Sequence, residues 1–320
     1  MKTTRIPLGS TSSQWPQNKA GVLEVANQWY DASIARVNDE AIAGLALPDF
    51  KIGAEESMAA GSIDRSWGDD IALSLALNSI NYQFWDLGAQ GEFIRYEFEG
   101  IVGAMGMREA FERAWADPQS PLSQARLGRV LTIEDIAQVF GDIPAAQSRV
   151  DVLNEMLLPR GPGLDSPVDM MARELSEDAL AKQKLETEQA NRLAQVFPVS
   201  YGDQVLKKAQ LAVSEVWVKG REHGLNYACD LTAFADYQIP NILRAMGVLE
   251  YSDDLAAKID RYEEIPYESQ EEKAIRGASL IAVEKIAAQA GVPVAAVDHY
   301  LWTRRKEAAT PFHLTFTTAY

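Results

Sequence analysis

The chain has 320 residues and a formal net charge of −16, from 46 acidic and 30 basic residues, and no block of Lys and Arg occurs along it. A protein that grips a nucleic-acid backbone needs clustered cations to neutralise phosphates, so this charge argues against a nucleic-acid duplex as a partner. A small anionic substrate that is held by one or two cations is compatible with it.

The single cysteine, Cys229, excludes an intrachain disulfide, and three histidines are too few for a Cys/His metal cluster. We therefore expect a cytoplasmic protein that uses no metal and no cofactor. The first residues lack the apolar core of a signal peptide, and no uninterrupted apolar run approaches the roughly 20 residues of a membrane helix. We expect a soluble protein that is not exported and has no membrane partner.

The beginning of the chain predicts an irregular arm followed by two helices. Residues 1–20 are rich in Ser, Thr, Gln and Pro, whereas residues 21–35 carry apolar side chains at helical spacing. A loop-like segment, 45–68, then precedes the very apolar run 71–84, for which Asp69 is a suitable N-cap. We expect that run to be a buried helix.

The clearest β signal follows this helix. Apolar and polar side chains alternate with period two over residues 92–99, and Gly91 separates them from the preceding aromatic residues. This pattern predicts a short strand or hairpin.

Helical spacing resumes after the hairpin. Helices are predicted at 104–116, at 133–140 and at 145–158. Thr132 is a suitable cap for the second of these helices, and Gly141 is a suitable stop.

The pattern in the middle of the chain predicts a linker followed by two helices. Residues 159–167 form the densest Gly/Pro cluster of the sequence. Beyond it, 168–193 is charged and helical, and 203–223 is a long helix with an apolar stripe. Lys207 and Lys208 lie near the N-terminal end of that long helix.

Residues 231–255 contain a carboxylate that stands among aromatic residues shortly before a proline. Pro240 fits the first turn of a helix, where its missing N–H costs nothing, and Gly247 fits the stop. Phe234 and Asp236 then lie in the extended lead-in, where residues two apart point to the same side. Spacing alone leaves two interpretations open: Asp236 caps the helix and Phe234 fills the core, or the two converge on a ligand.

Two more helices are predicted near the end of the sequence. Ser-Gln-Glu-Glu at 269–272 has the spacing of a capping box, and Gly291 can stop the helix that it starts. In the next helix Asp298, Trp302 and Arg305 share one face.

These elements predict a mainly α-helical protein with a small β element near residues 92–99 and a terminal strand at 312–316. The Gly/Pro cluster divides the chain into an N-terminal helical part with the hairpin, 1–160, and a C-terminal helical part that carries most of the site, 168–320. One continuous domain fits the same pattern, since 320 residues suit either arrangement.

Several blocks of the sequence match one protein family in the same order. Phe-Ala-Asp-Tyr-x-x-Pro at 234–240 and Tyr-Ser-Asp-Asp-Leu at 251–255 resemble the signature of the queuosine salvage family, the queuosine 5′-phosphate N-glycosylases. The other blocks that resemble this family are Asn-Tyr-Gln-Phe-Trp at 81–85, Lys-Lys-Ala-Gln-Leu at 207–211 with Trp217, Ile-Arg-Gly-Ala-Ser-Leu at 275–280, Asp-His-Tyr-Leu-Trp at 298–302 and Pro-Phe-His at 311–313. Each block is unspecific alone, but their common order makes the resemblance strong.

The resemblance implies a helical, DNA-glycosylase-like architecture and a hydrolase. Its substrate would be queuosine 5′-phosphate or a related 7-deazapurine nucleotide, a small molecule, whose N-glycosidic bond is cleaved to release the free base for salvage. Cleaving a ribosyl C1′–N bond develops oxocarbenium character on the sugar, so such a site needs a carboxylate near C1′.

The resemblance also implies a role for individual residues. Asp236 would be the catalytic carboxylate, as nucleophile or as stabiliser of the transition state, and Phe234 would line the pocket for base and ribose. Lys207 corresponds to the lysine that meets the 5′-phosphate, where an ammonium serves as a point charge, although Lys208 is an alternative. Asp298 would hydrogen-bond the edge of the 7-deazaguanine.

Two positions depart from the family pattern. The family has Asp-Tyr-Tyr-Leu-Trp-Asp where this chain has Asp-His-Tyr-Leu-Trp-Thr, so His299 and Thr303 replace a tyrosine and an aspartate that contact the base in family members. The N-terminal base-contacting histidine of the family also has no counterpart before Asn81. His299 either replaces a lost polar contact or is simply hydrogen-bonded in place.

Because of these departures, three alternatives stay open. The same chemistry could act on a different modified purine nucleotide or nucleoside. The chain could instead be a non-catalytic protein that binds a modified base. A glycosylase-like module that binds DNA is the third alternative, and the acidic charge argues against it.

Overall fold

The computed structural model describes residues 15–46, 65–89 and 91–320, and over these residues the chain is mainly α-helical, as the sequence predicts. The helices are α1 (Lys19–Trp29), α2 (Asp39–Ala43), α3 (Trp67–Ser79), α4 (Ala104–Ala116), α5 (Pro121–Arg126), α6 (Ile133–Phe140), α7 (Ala146–Leu157), α8 (Pro167–Lys182), α9 (Thr187–Val196), α10 (Pro198–Tyr201), α11 (Lys207–Glu222), α12 (Gln238–Ala245), α13 (Asp253–Asp260), α14 (Gln270–Ala290) and α15 (Val294–Thr303). Most of the predicted N-terminal arm and of the predicted loop 45–68 lies outside the described residues.

The strands are short and lie in two-stranded sheets over the described ranges. They are β1 (Ala35–Val37), β2 (Trp85–Leu87), β3 (Phe93–Arg95), β4 (Glu97–Phe98), β5 (Ile101–Val102), β6 (Lys184–Glu186), β7 (Ala228–Asp230) and β8 (Leu249–Tyr251). The antiparallel pairs are β1 with β8, β2 with β3 and β4 with β5, whereas β6 and β7 run parallel. The pair of β2 and β3 confirms the predicted hairpin.

Helix α3 lies at the centre of the molecule, packed against α8 and α11. Every residue from Asp70 to Ser79 is buried, as expected for a helix that is apolar around most of its circumference. The predicted cap and end are wrong. Ser66 is the N-cap, and its hydroxyl accepts a hydrogen bond of 3.2 Å from the N–H of Asp69 in the first turn. The helix ends before the predicted boundary, and the chain turns into β2 through Gln83, which has a φ of +38°.

Other local signals are confirmed. Helix α4 has the predicted bounds, and α6 begins with a capping box at Thr132 and ends at Gly141. Helix α14 begins at Ser269, whose hydroxyl accepts from the N–H of Glu272. The Glu272 carboxylate, however, accepts from the N–H of Glu268, so the predicted capping box is only half formed.

Three predicted elements are shorter or broken. The helix predicted at 21–35 gives way to β1 after α1 ends. The segment 168–193 is two helices, because the chain leaves α8 at Gln183 with a φ of +53° and pairs as β6 with β7 before α9 begins. The segment 312–316 contributes an isolated bridge at Leu314 in place of a strand. Two of these breaks involve pairing with a distant segment, which local periodicity does not reveal.

The largest cluster of buried apolar residues draws on both sides of the Gly/Pro segment 159–167. Helix α1 closes this core by packing along α14. At their closest approach, a Cβ on Gly277 would lie 2.7 Å from the carbonyl oxygen of Ala26 and 3.1 Å from the Cβ of Trp29. A glycine is therefore required for these two helix backbones to come this close.

In the described ranges, no single helix combines the length and the apolar composition of a membrane span. Helices α14 and α15 pass that test only as a pair, across a bend of 110°.

Candidate active site

The buried segment 231–237 is tied to two helices that flank it. The N–H of Thr232 donates to Gln210 Oε1 on α11 at 2.9 Å, and Gln210 Nε2 donates to the Thr232 hydroxyl at 2.7 Å. The carbonyl of Ala235 accepts from Arg276 Nε on α14 at 3.1 Å. The segment is therefore fixed relative to both helices.

Asp236 caps a helix with one carboxylate oxygen and leaves the other for a second partner. Its Oδ1 accepts the N–H groups of Gln238 at 2.6 Å and Ile239 at 3.1 Å, so the carboxylate caps the first turn of α12. Its Oδ2 lies 3.6 Å from Lys207 Nζ, and the two side chains are 12 % and 4 % exposed, respectively. One oxygen of Asp236 thus holds the helix, and the other pairs with a cation.

Lys207 is the first residue of α11, and its N–H donates to Asp203 Oδ2 at 2.8 Å. The neighbouring Lys208 turns away from Asp236. Its ammonium donates to the carbonyl of Ser79 at 2.6 Å and lies 4.6 Å from the centre of the Tyr82 ring. Burial lowers the pKa of Lys208 well below its ordinary value, and the charge of Lys207 acts in the same direction. Of the two lysines, only Lys207 meets the Asp236 carboxylate.

Asp298 approaches the same segment from α15. Its Oδ2 accepts the N–H of Phe234 at 2.7 Å, and the side chain is buried. Burial raises the pKa of Asp298 to about 7, and the charge of Asp236 adds to the increase, while the Phe234 N–H and the Lys207 ammonium oppose it. Near neutral pH this carboxyl group therefore exists in both forms, and it can accept or donate a hydrogen bond.

A cavity of about 190 Å³ brings the predicted residues together. Lys207, Phe234, Asp236, Asp298 and His299 all line it. A single water needs roughly 10–15 Å³ on a comparable measure, so the space suits a small molecule better than an isolated water. One face of α11 forms a wall of the cavity.

The far end of this wall carries a second polar group. Arg108 makes two hydrogen bonds to Glu215, of 2.8 and 2.7 Å, and Asn78 donates to the same carboxylate at 2.7 Å. Glu215 lies eight residues after Lys207, which corresponds to roughly 12 Å along a helix. The cavity is therefore elongated, with separate polar groups at its two ends.

The other residues singled out in the sequence lie in different surroundings. Trp302 lines the cavity, and the guanidinium of Arg305 lies 3.5 Å from the centre of its ring. Thr303 is exposed, and its hydroxyl donates to the carbonyl of Tyr300 at 2.8 Å. Thr303 does not line the cavity in the described part of the chain. Trp85 is buried in a separate aromatic cluster.

Sequence reasoning missed the polar residues that support the site. Arg276 and Gln210 stand inside blocks that carry the family resemblance, but the pattern assigned them no role. Asp203 precedes α11 by four residues and caps its first N–H, which a search for capping residues could have detected. The pair of Arg108 and Glu215 joins positions 107 apart in the sequence, so no local pattern predicts it.

Among the side chains that the structure describes, no group of three or more His, Cys, Asp and Glu could hold a metal ion. The charged groups of the cavity include two carboxyl groups, Asp236 and Asp298, and the ammonium of Lys207 at one end, with the paired Arg108 and Glu215 at the other. This arrangement provides a negative charge beside a cation in a pocket with a largely apolar lining.

Comparison with known proteins gives a consistent result. The family described as queuosine salvage protein matches residues 68–320. A protein of Sphaerobacter thermophilus named queuosine 5′-phosphate N-glycosylase/hydrolase is 31% identical over 271 residues, which cover 77% of this chain and 80% of that protein. Proteins of the same name from Mus musculus and Dictyostelium discoideum are 26% and 29% identical and cover 77% of this chain, with 81% and 77% of their own lengths matched.

The family match includes the segment with Asp236, the start of α11 and the helix that carries Asp298. The residues that converge on the cavity all fall within it. The chain belongs to the queuosine salvage protein family.

Proposed function

We propose that this protein is a hydrolase that cleaves the N-glycosidic bond of queuosine 5′-phosphate, or of a related 7-deazapurine nucleotide, and releases the free base for salvage. The names of its relatives support the reaction, and the family match supports their relevance to this chain. The single observation that carries the proposal is the buried Asp236 carboxylate beside Lys207 in a cavity of molecular size. The cytoplasmic location that the sequence predicts belongs to the same proposal.

Asp236 supplies the charge that this reaction needs. As the C1′–N bond breaks, its electron pair leaves with the base and positive charge develops on the ribose. A carboxylate near C1′ stabilises that charge most in a site with little water, because the local dielectric is low. Water then adds its oxygen to C1′, directly or after a covalent bond to Asp236, and the proton that it releases ends on the base.

Lys207 has two possible anionic partners in a complex with a nucleotide. It pairs with Asp236 at 3.6 Å, a distance that leaves room for an ammonium with three donors to meet a phosphate as well. We propose that it binds the 5′-phosphate. Lys208 is a weaker candidate, because its ammonium is already bonded to Ser79.

Asp298, Phe234 and His299 are the proposed contacts to the base. The pKa of Asp298 is raised to about 7, so this carboxyl group can either accept a hydrogen bond from the edge of a 7-deazaguanine or donate one to it. His299 also lines the cavity, and it occupies the position of the tyrosine in the family pattern. Thr303 is exposed at the end of α15, so the proposed direct contact of this residue with the base has less support.

The substitutions at 299 and 303 favour a second candidate, which keeps the chemistry and changes the base. A different modified purine nucleotide or nucleoside would then be the substrate. A non-catalytic protein that binds a modified base is the alternative of another class.

Chromatography of a nucleotide panel after incubation with the purified protein separates these candidates. The panel contains queuosine 5′-phosphate, queuosine, the 5′-phosphate of a simpler 7-deazaguanosine, and GMP. We expect free base from queuosine 5′-phosphate in amounts equal to the ribose 5-phosphate produced. Release only from another member would support the second candidate. A melting shift with the base and no release from any member would support the binding protein and contradict the proposed hydrolase.

A further inference from the structure

The guanidinium of Arg276 connects the two backbone segments that carry Lys207 and Asp236. Arg276 lies on α14, one turn after Glu272, and it is completely buried. Its two terminal nitrogens donate to Asp203 at 3.0 and 2.7 Å, and Nε donates to the carbonyl of Ala235 at 3.1 Å. One side chain thus binds Asp203, four residues before the start of α11, and Ala235, the residue directly before Asp236.

Asp203 links Arg276 to the backbone of Lys207. The Asp203 oxygen that receives the shorter bond from Arg276 also accepts the Lys207 N–H at 2.8 Å. The chain between them turns through Leu206, which has a φ of +57°, a conformation that costs about 1 kcal/mol or more for a residue with a side chain. The start of α11 is therefore held in place by the Asp203 carboxylate and not by regular helical geometry alone.

The guanidinium itself has little freedom to move. Glu272 accepts from Arg276 Nη1 at 3.4 Å, and the hydroxyl of Tyr320 donates to the same glutamate oxygen at 2.9 Å. The Tyr320 ring lies 4.4 Å from the guanidinium carbon. The planar guanidinium of Arg276 carries several N–H donors that point in different directions, so it can bind Asp203 and Ala235 at the same time. The single ammonium of a lysine cannot do this.

We propose that Arg276 is a positioning residue, which acts with Asp203 to set the distance between the Lys207 ammonium and the Asp236 carboxylate. This inference rests on the proposed function, because it concerns the same two groups. Arg276 does not line the cavity among the described residues, so it acts through its two partners and not on the substrate. A misplacement of about 1 Å in such a pair can reduce the rate by roughly a hundredfold.

The test compares Arg276→Lys with the wild type on queuosine 5′-phosphate and queuosine. The ratio of kcat/KM for the nucleotide to kcat/KM for the nucleoside does not depend on how much of the protein is folded. A merely structural role would lower both values together and leave that ratio unchanged. We expect the ratio to fall about tenfold, because the displaced Lys207 no longer meets the phosphate, and kcat for the nucleoside to fall as well.

Arg126→Lys is the matched control. Arg126 makes a similar pair of hydrogen bonds, of 3.3 and 2.6 Å, to Asp169 and joins α5 to α8 away from the cavity. We expect this variant to lose stability and to keep the wild-type ratio. An unchanged ratio and an unchanged nucleoside kcat per folded molecule in Arg276→Lys would overturn the positioning role.

If Arg276→Lys does not fold, Asp203→Asn replaces it in the same comparison of the two substrates. The amide keeps an oxygen for the Lys207 N–H but cannot accept two bonds from the guanidinium, so the same fall in ratio is expected. Failure of both variants to fold would mean that the network serves the fold and would overturn a separate positioning role.

Two reference measurements keep this inference apart from the proposed function. A wild type that releases no base contradicts the proposed function. In that case calorimetry of ribose 5-phosphate binding replaces the turnover measurement. The positioning role then requires that Arg276→Lys binds ribose 5-phosphate more weakly than Arg126→Lys does. A Lys207→Ala variant that keeps the wild-type ratio contradicts the phosphate role of Lys207. In that case the nucleoside kcat per folded molecule decides the positioning role.

Discussion

The two carboxylate oxygens of Asp236 have different partners, and this separates its structural role from its proposed chemical role. Oδ1 caps α12, whereas Oδ2 pairs with Lys207. Asp236→Asn can retain the capping oxygen and loses the negative charge. We expect kcat to fall on the order of a hundredfold or more, since the charge opposes a developing cation, with a melting temperature close to that of the wild type. Base release by chromatography and a thermal melt measure the two effects.

Asp253→Asn is the control for Asp236→Asn. Asp253 opens the first turn of α13, away from the cavity, so its loss should leave turnover unchanged. Near wild-type turnover in Asp236→Asn would show that the catalytic carboxylate is another residue.

The adjacent lysines provide a matched pair of substitutions. Lys207→Ala should raise KM for the 5′-phosphorylated substrate at least tenfold more than KM for the nucleoside, because one charge-assisted contact is worth roughly 1.5–3 kcal/mol. Lys208→Met should lower stability, through loss of the bond to the Ser79 carbonyl, and leave the preference for the nucleotide intact. Steady-state kinetics on both substrates measure the difference. The reverse outcome would move the phosphate site to Lys208.

Asp298 should make stability depend on pH in a defined direction. Burial raises its pKa from 3.8 to about 7, so the folded protein holds a proton that the unfolded chain releases between about pH 4 and pH 7. The contribution of this group to the free energy of unfolding is therefore largest below pH 4 and falls as pH rises to 7. We expect the wild type to lose stability relative to Asp298→Asn over that range, measured by urea denaturation at pH 4.5–8. A relative gain would contradict the assigned pKa.

Helix α15 presents its residues to the cavity selectively, and this bears on the choice of base. His299 lines the cavity, whereas Thr303 is exposed at the end of the helix. We expect His299→Tyr with Thr303→Asp to shift preference toward the queuine base, and the wild type to accept a simpler base without the cyclopentenediol, because a site that has lost polar partners no longer demands them of its ligand. The measurement is kcat/KM for paired substrates in both proteins.

The single variants divide the effect between the two positions. His299→Tyr should account for most of the shift in preference, because of the two residues His299 lines the cavity and Thr303 does not, among the described residues. A wild type that requires the cyclopentenediol, with a double variant no better on queuosine 5′-phosphate, would mean that other residues supply the missing contacts.

The elements show which features of the fold the sequence could predict. The capping residues of α6 and α14 and the bounds of α4 are local, and they are confirmed. The break between α8 and α9 depends on the pairing of β6 with β7, more than 40 residues further along the chain, which no local pattern contains.

The candidate site shows a similar division. Resemblance selected Asp236, Lys207 and Asp298, and the structure brings all three to one cavity. Spacing alone could not assign Asp236, because a capping carboxylate and a catalytic one have the same sequence pattern, and this residue caps α12 in fact. The support from Arg276 and Asp203 required the fold, since these residues lie 73 apart in the sequence.

At the scale of the whole molecule, the contact between α1 and α14 depends on one missing side chain. Gly277→Ala would bring a methyl group within 2.7 Å of the Ala26 carbonyl, so we expect a loss of about 1–3 kcal/mol in the free energy of unfolding despite the better helix propensity of alanine. Gly68→Ala in α3 is the control, because a Cβ there has nothing within 4 Å. It should be neutral or stabilising by up to about 1 kcal/mol. Urea denaturation of both variants measures the change in the free energy of unfolding and its sign.

The bonds that hold the buried segment before α12 also set an order in which the molecule can be completed during synthesis. Asp236 leaves the ribosome well before Arg276, which donates to the Ala235 carbonyl, and Asp298, which accepts the Phe234 N–H. Strand β8 must also pair with β1 across more than 210 residues. Pairings over such separations form slowly, because a long loop must close before the contact is gained. A nascent chain that already displays the carboxylate and the lysine would therefore be unable to hold a nucleotide until helices α14 and α15 have emerged.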